Sequence, residues 1–356
     1  MYANKRNNYI DAAKGLAIFL MLWGHCIQSC VVNSDVDFFE NSLFKLIYSF
    51  HMPLFMLISG YLFFYSFSKR NLKDLLIHKT QSLLQPIIFS AVFRYLAIDV
   101  VFGAMIHELS FTHNALWIKY LSSLWFLWSV LAASICVAIV CKKCENPWGQ
   151  CALLIVIMPL LAFFPNATMN IFVYPYFVLG FLFAKYKHTL SKKVLCLKYL
   201  SLVLFPVLVC FYEKKHYIYT TGLFSTAYSA KELLQINAYR WLIGLIGSVF
   251  ALTVLQIIYD LICKRKSAAP VFSGLSKIGK KSLQLYILSV PLLEGYLPIF
   301  LPKVFSLLGT GNVFVKNIFV YNYIFTFSLA LIYAFALYLL VKLLEKTRIS
   351  AVMFGK

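Results

Sequence analysis

An all-α, polytopic integral membrane protein of about ten transmembrane helices, with both termini cytoplasmic, is the fold class this sequence predicts, on three observations. Of 356 residues, 61% are hydrophobic and 13% charged, against roughly 45–50% and about 25% in a soluble domain, and the mean hydropathy is +0.78. The apolar residues run in stretches long enough for a helix of about 20 residues to cross the hydrocarbon core. The 33 Lys and Arg, which stand against 13 Asp and Glu for a net charge of +20, gather in alternate connections between those stretches. A soluble globular enzyme is excluded. Barrel strands are too short to account for the runs, and lipid accepts no other open backbone.

Taken in order, the expected spans are 10–30, 44–67, 83–106, 122–140, 148–164, 169–186, 195–212, 238–262, 282–301 and 318–344. The first follows Lys5-Arg6 as a signal peptide would, but Asp11 and Lys14 interrupt its apolar run and no small-residue cleavage site follows. The second carries Pro53 just beyond His51, where a proline removes a backbone hydrogen bond and bends the helix, and Gly60 lower down, where helices can approach closely. The fifth and sixth run 17 and 18 residues. With the N-terminus inside, 22 of the 33 cations fall in cytoplasmic segments and 7 outside, as the positive-inside rule requires. No Pro-, Gly- or Ser-rich linker divides the chain, so residues 1–356 are expected to form one membrane-embedded domain with no soluble C-terminal domain.

This charge faces anionic membrane lipids, and nothing arranges it as a nucleic-acid groove with interleaved aromatics. Six of the nine cysteines lie within spans as small apolar residues. Cys141-Lys142-Lys143-Cys144 has the spacing of half a zinc site, but no histidine accompanies it, so no metal site is expected.

Ionisable residues within a span are costly and mark candidate sites. Asp11, Lys14 and His25 form one polar stripe on the first span: Lys14 and His25 are about 20° from a common face, and Asp11 and Lys14 can pair at i, i+3. His25 and His51 both stand roughly 8–10 Å in from the outer surface on sequential helices. Two imidazoles at one depth suit acid–base chemistry; they would also suit a metal or, as facing axial ligands, a b-type haem, although this chain offers a single such pair. Arg94 lies mid-span, where a structural pair with Asp99 or Glu294 and a role in binding substrate are equally open. Arg240, Lys198 and Lys45 lie near boundaries and are expected to snorkel to the interface. Arg70 and Lys79, in the inner connection from Ser68 to Lys79, form a cationic cluster that suits phosphates or simply fixes topology. Tyr217, Tyr219 and Tyr228 in the outer loop 213–237 could face a sugar, but tyrosine is also ordinary at a membrane interface.

These residues carry a resemblance. The stretch Arg6-Asn7-Asn8-Tyr9-Ile10-Asp11-Ala12-Ala13-Lys14-Gly15-Leu16-Ala17-Ile18, followed by Gly24-His25, and the stretches Ser49-Phe50-His51-Met52-Pro53-Leu54-Phe55 and Ile58-Ser59-Gly60-Tyr61 resemble the opening motifs of the acyltransferase-3 family of integral membrane acyltransferases, in particular its fucose 4-O-acetylase-like members. Leu124-Trp125-Phe126-Leu127, Tyr176-Phe177-Val178-Leu179-Gly180 and Gly279-Lys280-Lys281-Ser282-Leu283 with Tyr286 are weaker echoes. Two positions depart. Relatives often carry an Arg-x-x-Arg pattern where this chain has Lys79-Thr80-Gln81-Ser82, and many have a histidine where it has Ser289.

The resemblance implies a ten-helix polysaccharide O-acetyltransferase of the bacterial cytoplasmic membrane. It would move an acetyl group from cytoplasmic acetyl-CoA to a hydroxyl of a cell-surface glycan or lipid-linked sugar, without a metal. His25 would be the general base and His51 its catalytic partner. Lys14, Asp11, Lys79 and Arg70 would hold the CoA moiety, with Asp11 orienting Lys14, and Arg94, Glu294 and Ser289 would meet the acceptor. A glycan or lipid-intermediate transporter or flippase is the alternative of a different class, although no inverted repeat supports it. The sequence leaves the acceptor sugar, the oligomeric state and the face of transfer open.

Overall fold

The computed structural model describes residues 7–30, 37–96, 120–265, 269–291 and 317–355, without the side chains of 188, 190–194 and 262–270. Those residues are mostly helical, joined by turns and loops, with no strand among them. Six stretches are long and apolar enough to cross a membrane: Asn8–Ser29, Ser42–Lys69, Trp125–Lys143, Ala167–Lys187, Ala230–Leu261 and Val320–Leu344. Pro147–Val156 and Leu195–Cys210 are shorter apolar helices at the places expected for the fifth and seventh spans. Parts of the expected third and ninth spans, 97–106 and 292–301, lie outside the described residues.

The helix ends follow from short polar side chains. The Asn7 side chain accepts from the Tyr9 N–H at the start of α1 (Asn8–Ser29), and Asn41 accepts from Leu43 and Phe44 at the start of α2 (Ser42–Tyr48). Asn71 caps α4 (Leu72–Arg94) through the Asp74 N–H, and Asn146 with Pro147 opens α6 (Pro147–Val156). Between these stand α3 (His51–Lys69) and α5 (Trp125–Lys143). Beyond α6 a 3-10 turn, Met158–Phe163, takes over where Pro159 cannot continue the helix.

Three expectations about span shape change. The second span is two helices, α2 and α3, interrupted at Ser49–Phe50 beside His51. Pro53 would clash with the carbonyl four residues back, at Ser49, so the break falls one turn before the proline. The connection between the sixth and seventh spans is helical: Ala167–Cys210 (α7) is helical on both sides of a kink at Tyr186 (φ −111°, ψ 17°). The helix carrying the third span begins at Leu72, eleven residues before the expected boundary.

The chain forms two compact units, one of residues 1–58 and 186–341 and the other of 59–185 and 342–356. In the first, α1 packs along α9 (Ala269–Lys280), with α8 (Ala230–Arg265) and α10 (Ser282–Val290) beside it. The crossing of α1 and α9 is as close as backbones allow. A Cβ at Gly15 would collide with the Leu275 carbonyl, and one at Gly279 with the Asp11 carbonyl and the Gly15 nitrogen.

At the far end of α1, a π-helical turn, Val320–Phe325, opens α11 (Thr326–Leu344). Trp23 Nε1 donates to the Asn322 carbonyl (3.3 Å) and to Thr326 Oγ1 (3.1 Å), and the Tyr321 hydroxyl donates to the Ile27 carbonyl (2.6 Å). Asn41 Nδ2 donates to Asn322 Oδ1 at 2.7 Å, which ties the start of α2 to the same turn. In the second unit α4 packs on α5 and on the short C-terminal helix α12 (Ile349–Phe354), and Gly60 meets the Phe177 main chain.

Gly279→Ala should therefore lower thermal stability in detergent by about 1–3 kcal/mol or more. Gly274→Ala, on the same helix with nothing within 4 Å of the added methyl, should leave the melting temperature unchanged or raise it.

Candidate functional site

Two histidines and a tyrosine meet near the predicted outer end of the first unit. The break before α3 puts His51 at the first position of that helix, one turn after Ile47. Its Nδ1 lies 2.9 Å from the Ile47 carbonyl in the last turn of α2, an oxygen that the Phe50 N–H also reaches at 3.3 Å. A carbonyl only accepts, so Nδ1 carries the proton and the neutral ring presents the lone pair at Nε2. His51 is 3% exposed.

Tyr48 fills the space between the two imidazoles. Its ring centroid is 4.7 Å from that of His51 and 6.4 Å from that of His25, edge-on to both. Gly24 allows this approach, because a Cβ there would stand 2.6 Å from a Tyr48 ring carbon. His25 is only partly buried and has the Gln28 side chain as a hydrogen-bonding neighbour. The pair expected from depth alone is thus brought together, through a residue that depth did not indicate.

A folded outer loop is built over Tyr48. Phe44 stacks on Tyr48 at 3.9 Å, Tyr217 packs against Phe44 and Phe39, and Tyr219 stands edge-on to Tyr48 at 6.3 Å. Arg240 holds the loop in place. This side chain does not snorkel to the interface as expected; it is 2% exposed. Its guanidinium donates to the carbonyls of Lys215 (2.7 Å), His216 (2.9 Å), Tyr217 (3.1 Å) and Thr221 (2.6 Å), and to Asn237 Oδ1 (2.8 Å). The planar five-donor fork matches a curled main chain in a way that a lysine could not.

His216 turns inward beneath the loop, where its Nδ1 accepts from the Glu213 N–H (2.9 Å). Burial, then the nearby Lys215, pushes this imidazole down to about 4, so it is uncharged at neutral pH.

At the other end of α1, Lys14 pairs with Asp11 at 3.0 Å, as the i, i+3 spacing predicts, and Asp11 is buried under the Gly279 crossing. Ser289 is fully buried, and its hydroxyl donates to the Tyr286 carbonyl of its own helix. Glu294 lies outside the described residues, as does Asp99, so the expected pairings of Arg94 with them lie outside as well.

The remaining expected residues belong to the second unit. Arg70 Nη1 donates to Ser66 Oγ at 2.7 Å, and Lys79 Nζ lies over the Phe63 ring at 5.4 Å. Arg70, His78 and Lys79 are close enough to repel one another. Burial, then Arg70, pushes Lys79 down to about 8, and burial followed by Arg70 and Lys79 lowers His78. Such a cluster gains by accepting an anion. Arg94 is 6% exposed with its guanidinium 5.1 Å over Tyr120, and its Nε and Nη1 have no hydrogen-bond partner among the described residues. Among the described residues no three His, Cys, Asp or Glu side chains are grouped to hold a metal ion.

The sequence alone does not single out Tyr48 and places Arg240 at the interface, whereas Tyr219 is among the tyrosines it puts forward. A signal existed for Tyr48, since it lies three residues before His51. Arg240 gave none, because four of its acceptors are main-chain carbonyls 19 to 25 residues away.

A family model described as an acyltransferase domain matches residues 7–343. The nodulation protein NolL of Sinorhizobium fredii is 30% identical to the chain over 245 residues, covering 65% of each protein. The NolL protein of Mesorhizobium japonicum is 29% identical over 188 residues, covering 51% of this chain and 49% of its own length. The matches thus span between about half and two thirds of these relatives. No solved structure is significantly similar to the chain.

Arg240→Ala should destabilise the protein by about 3 kcal/mol or more, because it strands several buried carbonyls at once. Thermal denaturation in detergent checks this, and a melting temperature within a degree or two of the parent would show that the loop is held by other means.

Proposed function

The chain belongs to the acyltransferase-3 family, and from that premise we propose that it is a membrane O-acyltransferase of the bacterial cytoplasmic membrane, moving an acetyl group from cytoplasmic acetyl-CoA to a hydroxyl of a cell-surface glycan or lipid-linked sugar. The observation that carries the reading is the meeting of His25 and His51 around Tyr48, with the tautomer of His51 set by the Ile47 carbonyl.

His25 is the reachable imidazole of the two, and we assign it as general base. In the proposed step it takes the proton of the acceptor hydroxyl while that oxygen attacks the thioester carbonyl carbon. The tetrahedral intermediate then collapses with cleavage of the C–S bond, and the imidazolium returns the proton to the departing CoA thiolate. Such proton transfer contributes typically 10²–10⁴ in rate. His51, buried behind Tyr48 with its lone pair at Nε2, sets the polarity of the site from within; it also offers an acceptor for a proton passed inward. Because the surroundings are apolar, each hydrogen bond acts with less screening than it would in water.

For the donor, the cluster of Arg70 and Lys79 in the second unit is proposed to bind CoA phosphates, which would relieve the mutual repulsion of its cations. In the first unit Lys14, held by Asp11, is proposed to contribute to donor binding as well. Arg94, Glu294 and Ser289 remain proposed acceptor contacts, although the Ser289 hydroxyl is already committed to the Tyr286 carbonyl and would have to rotate to serve.

Acetyl transfer assayed with radiolabelled acetyl-CoA on purified, reconstituted protein tests the proposal. His25→Ala should lower kcat by about 10²–10⁴ while membrane insertion and thermal stability persist; near-parental turnover would remove His25 as the base.

Donor affinity should also depend on pH. Lys79 loses its charge as pH rises through about 8, so the KM for acetyl-CoA should rise between pH 7 and 9. Lys79→Met should have a high KM at pH 7 already and a flatter profile; an unchanged profile would show that Lys79 does not bind the donor.

A further inference from the structure

The outer loop is more elaborate than a connection between two membrane helices needs to be. A linker at the surface can leave its carbonyls to water, yet residues 215–221 turn four of them inward onto Arg240, a cation withdrawn from water at a cost of several kcal/mol before its hydrogen bonds are counted. His216 and Tyr217 are buried in the same turn, and the Tyr217 hydroxyl donates to the Phe39 carbonyl at 3.1 Å. Nearby, Tyr212 donates to the His216 carbonyl at 3.1 Å.

One aromatic ring of this turn faces the other way. Tyr219 is 50% exposed, and its ring stands beside Tyr48, the residue that separates the two histidines. The successive ring separations, 6.3 Å from Tyr219 to Tyr48 and 6.4 Å from Tyr48 to His25, limit the distance from Tyr219 to His25 to about 13 Å. A mono- or disaccharide bridges that distance.

Resting on the acyl-transfer reading above, we propose that Tyr219 is the platform of the acceptor-sugar subsite, held in register with the histidines through Tyr48 and by the Arg240-anchored turn. The apolar C–H face of a pyranose stacks on the Tyr219 ring, and one hydroxyl at the sugar edge is presented to His25. An aromatic body with a polar tip suits such a ligand, since it covers the sugar's apolar face and leaves the hydroxyls wet or hydrogen-bonded. Arg240 is a positioning residue here: it acts through the turn and does not touch the sugar.

The test is steady-state acetyl transfer from radiolabelled acetyl-CoA to p-nitrophenyl α-L-fucoside and p-nitrophenyl β-D-glucoside, with the parent protein, Tyr219→Ala and Tyr219→Trp. Tyr219 is exposed, so its substitution does not threaten folding. Tyr219→Ala should raise the acceptor KM roughly tenfold, the order expected for one lost aromatic stacking contact. It should change kcat and the KM for acetyl-CoA by less than about threefold, and Tyr219→Trp should restore the acceptor KM. An acceptor KM that Tyr219→Ala leaves within about twofold of the parent, or a loss confined to kcat, would overturn the platform while leaving the acyl-transfer reading in place. Failure of the parent protein to acetylate either glycoside while it binds acetyl-CoA would count against that reading and against the platform with it.

Discussion

Within a bilayer a helix can stop only where something takes up the hydrogen bonds it leaves behind, and the interruption at Ser49–Phe50 is where this chain meets that demand. At the end of α2 the Ile47 carbonyl accepts from the Phe50 N–H at 3.3 Å and from His51 Nδ1 at 2.9 Å. The second bond fixes which nitrogen of His51 holds the proton. Pro53 keeps the break where it is by denying Ser49 a helical partner. The position of His51, its tautomer and the seat of Tyr48 between two imidazoles all follow from this interruption of one span.

The rest of the first unit braces that arrangement from two ends. Near the N-terminal end of α1, Gly15 and Gly279 let α1 and α9 touch backbone to backbone beside the Asp11–Lys14 pair. At the other end, the π turn that opens α11 receives bonds from Trp23 and Asn41 and gives one from Tyr321 to the Ile27 carbonyl, tying α1 to the start of α2. Gly24 is the point where the two demands meet: α1 must pass close to Tyr48 and must also deliver His25 one residue later. A single methyl at residue 24 would put those two requirements in conflict.

Much of this was readable from residue spacing, and the unread part has a common physical cause. The Asp11–Lys14 pair and the shared depth of His25 and His51 depend on helical rise and rotation, which a sequence states directly. The membrane class and its helical character depend on composition and run length. Tyr48, Arg240 and the loop depend instead on where the main chain leaves the helix. The break at Ser49 overrode a run of apolar residues that otherwise reads as one span. Arg240 spends its donors on carbonyls, which every residue possesses, so no pattern of side chains announces it. The helical form of residues 187–194, beyond the kink at Tyr186, was hidden for a related reason: a charged stretch reads as a loop, although Lys is an adequate helix former.

The fate of Arg240 bears on how charge should be read in a chain with a net +20. Most of its cations lie in the connections expected between apolar stretches, where the positive-inside rule weighs their number and not their individual positions. Arg240 lies in no such connection and is held by geometry: its three guanidinium nitrogens meet five acceptors in a site almost closed to water. Its desolvation is offset only while the turn keeps its shape, because each carbonyl that swings away leaves part of a buried cation unpaired. The charge and the turn are therefore conditions for each other, and the histidine pair lies beneath a lid whose form is decided from within the membrane.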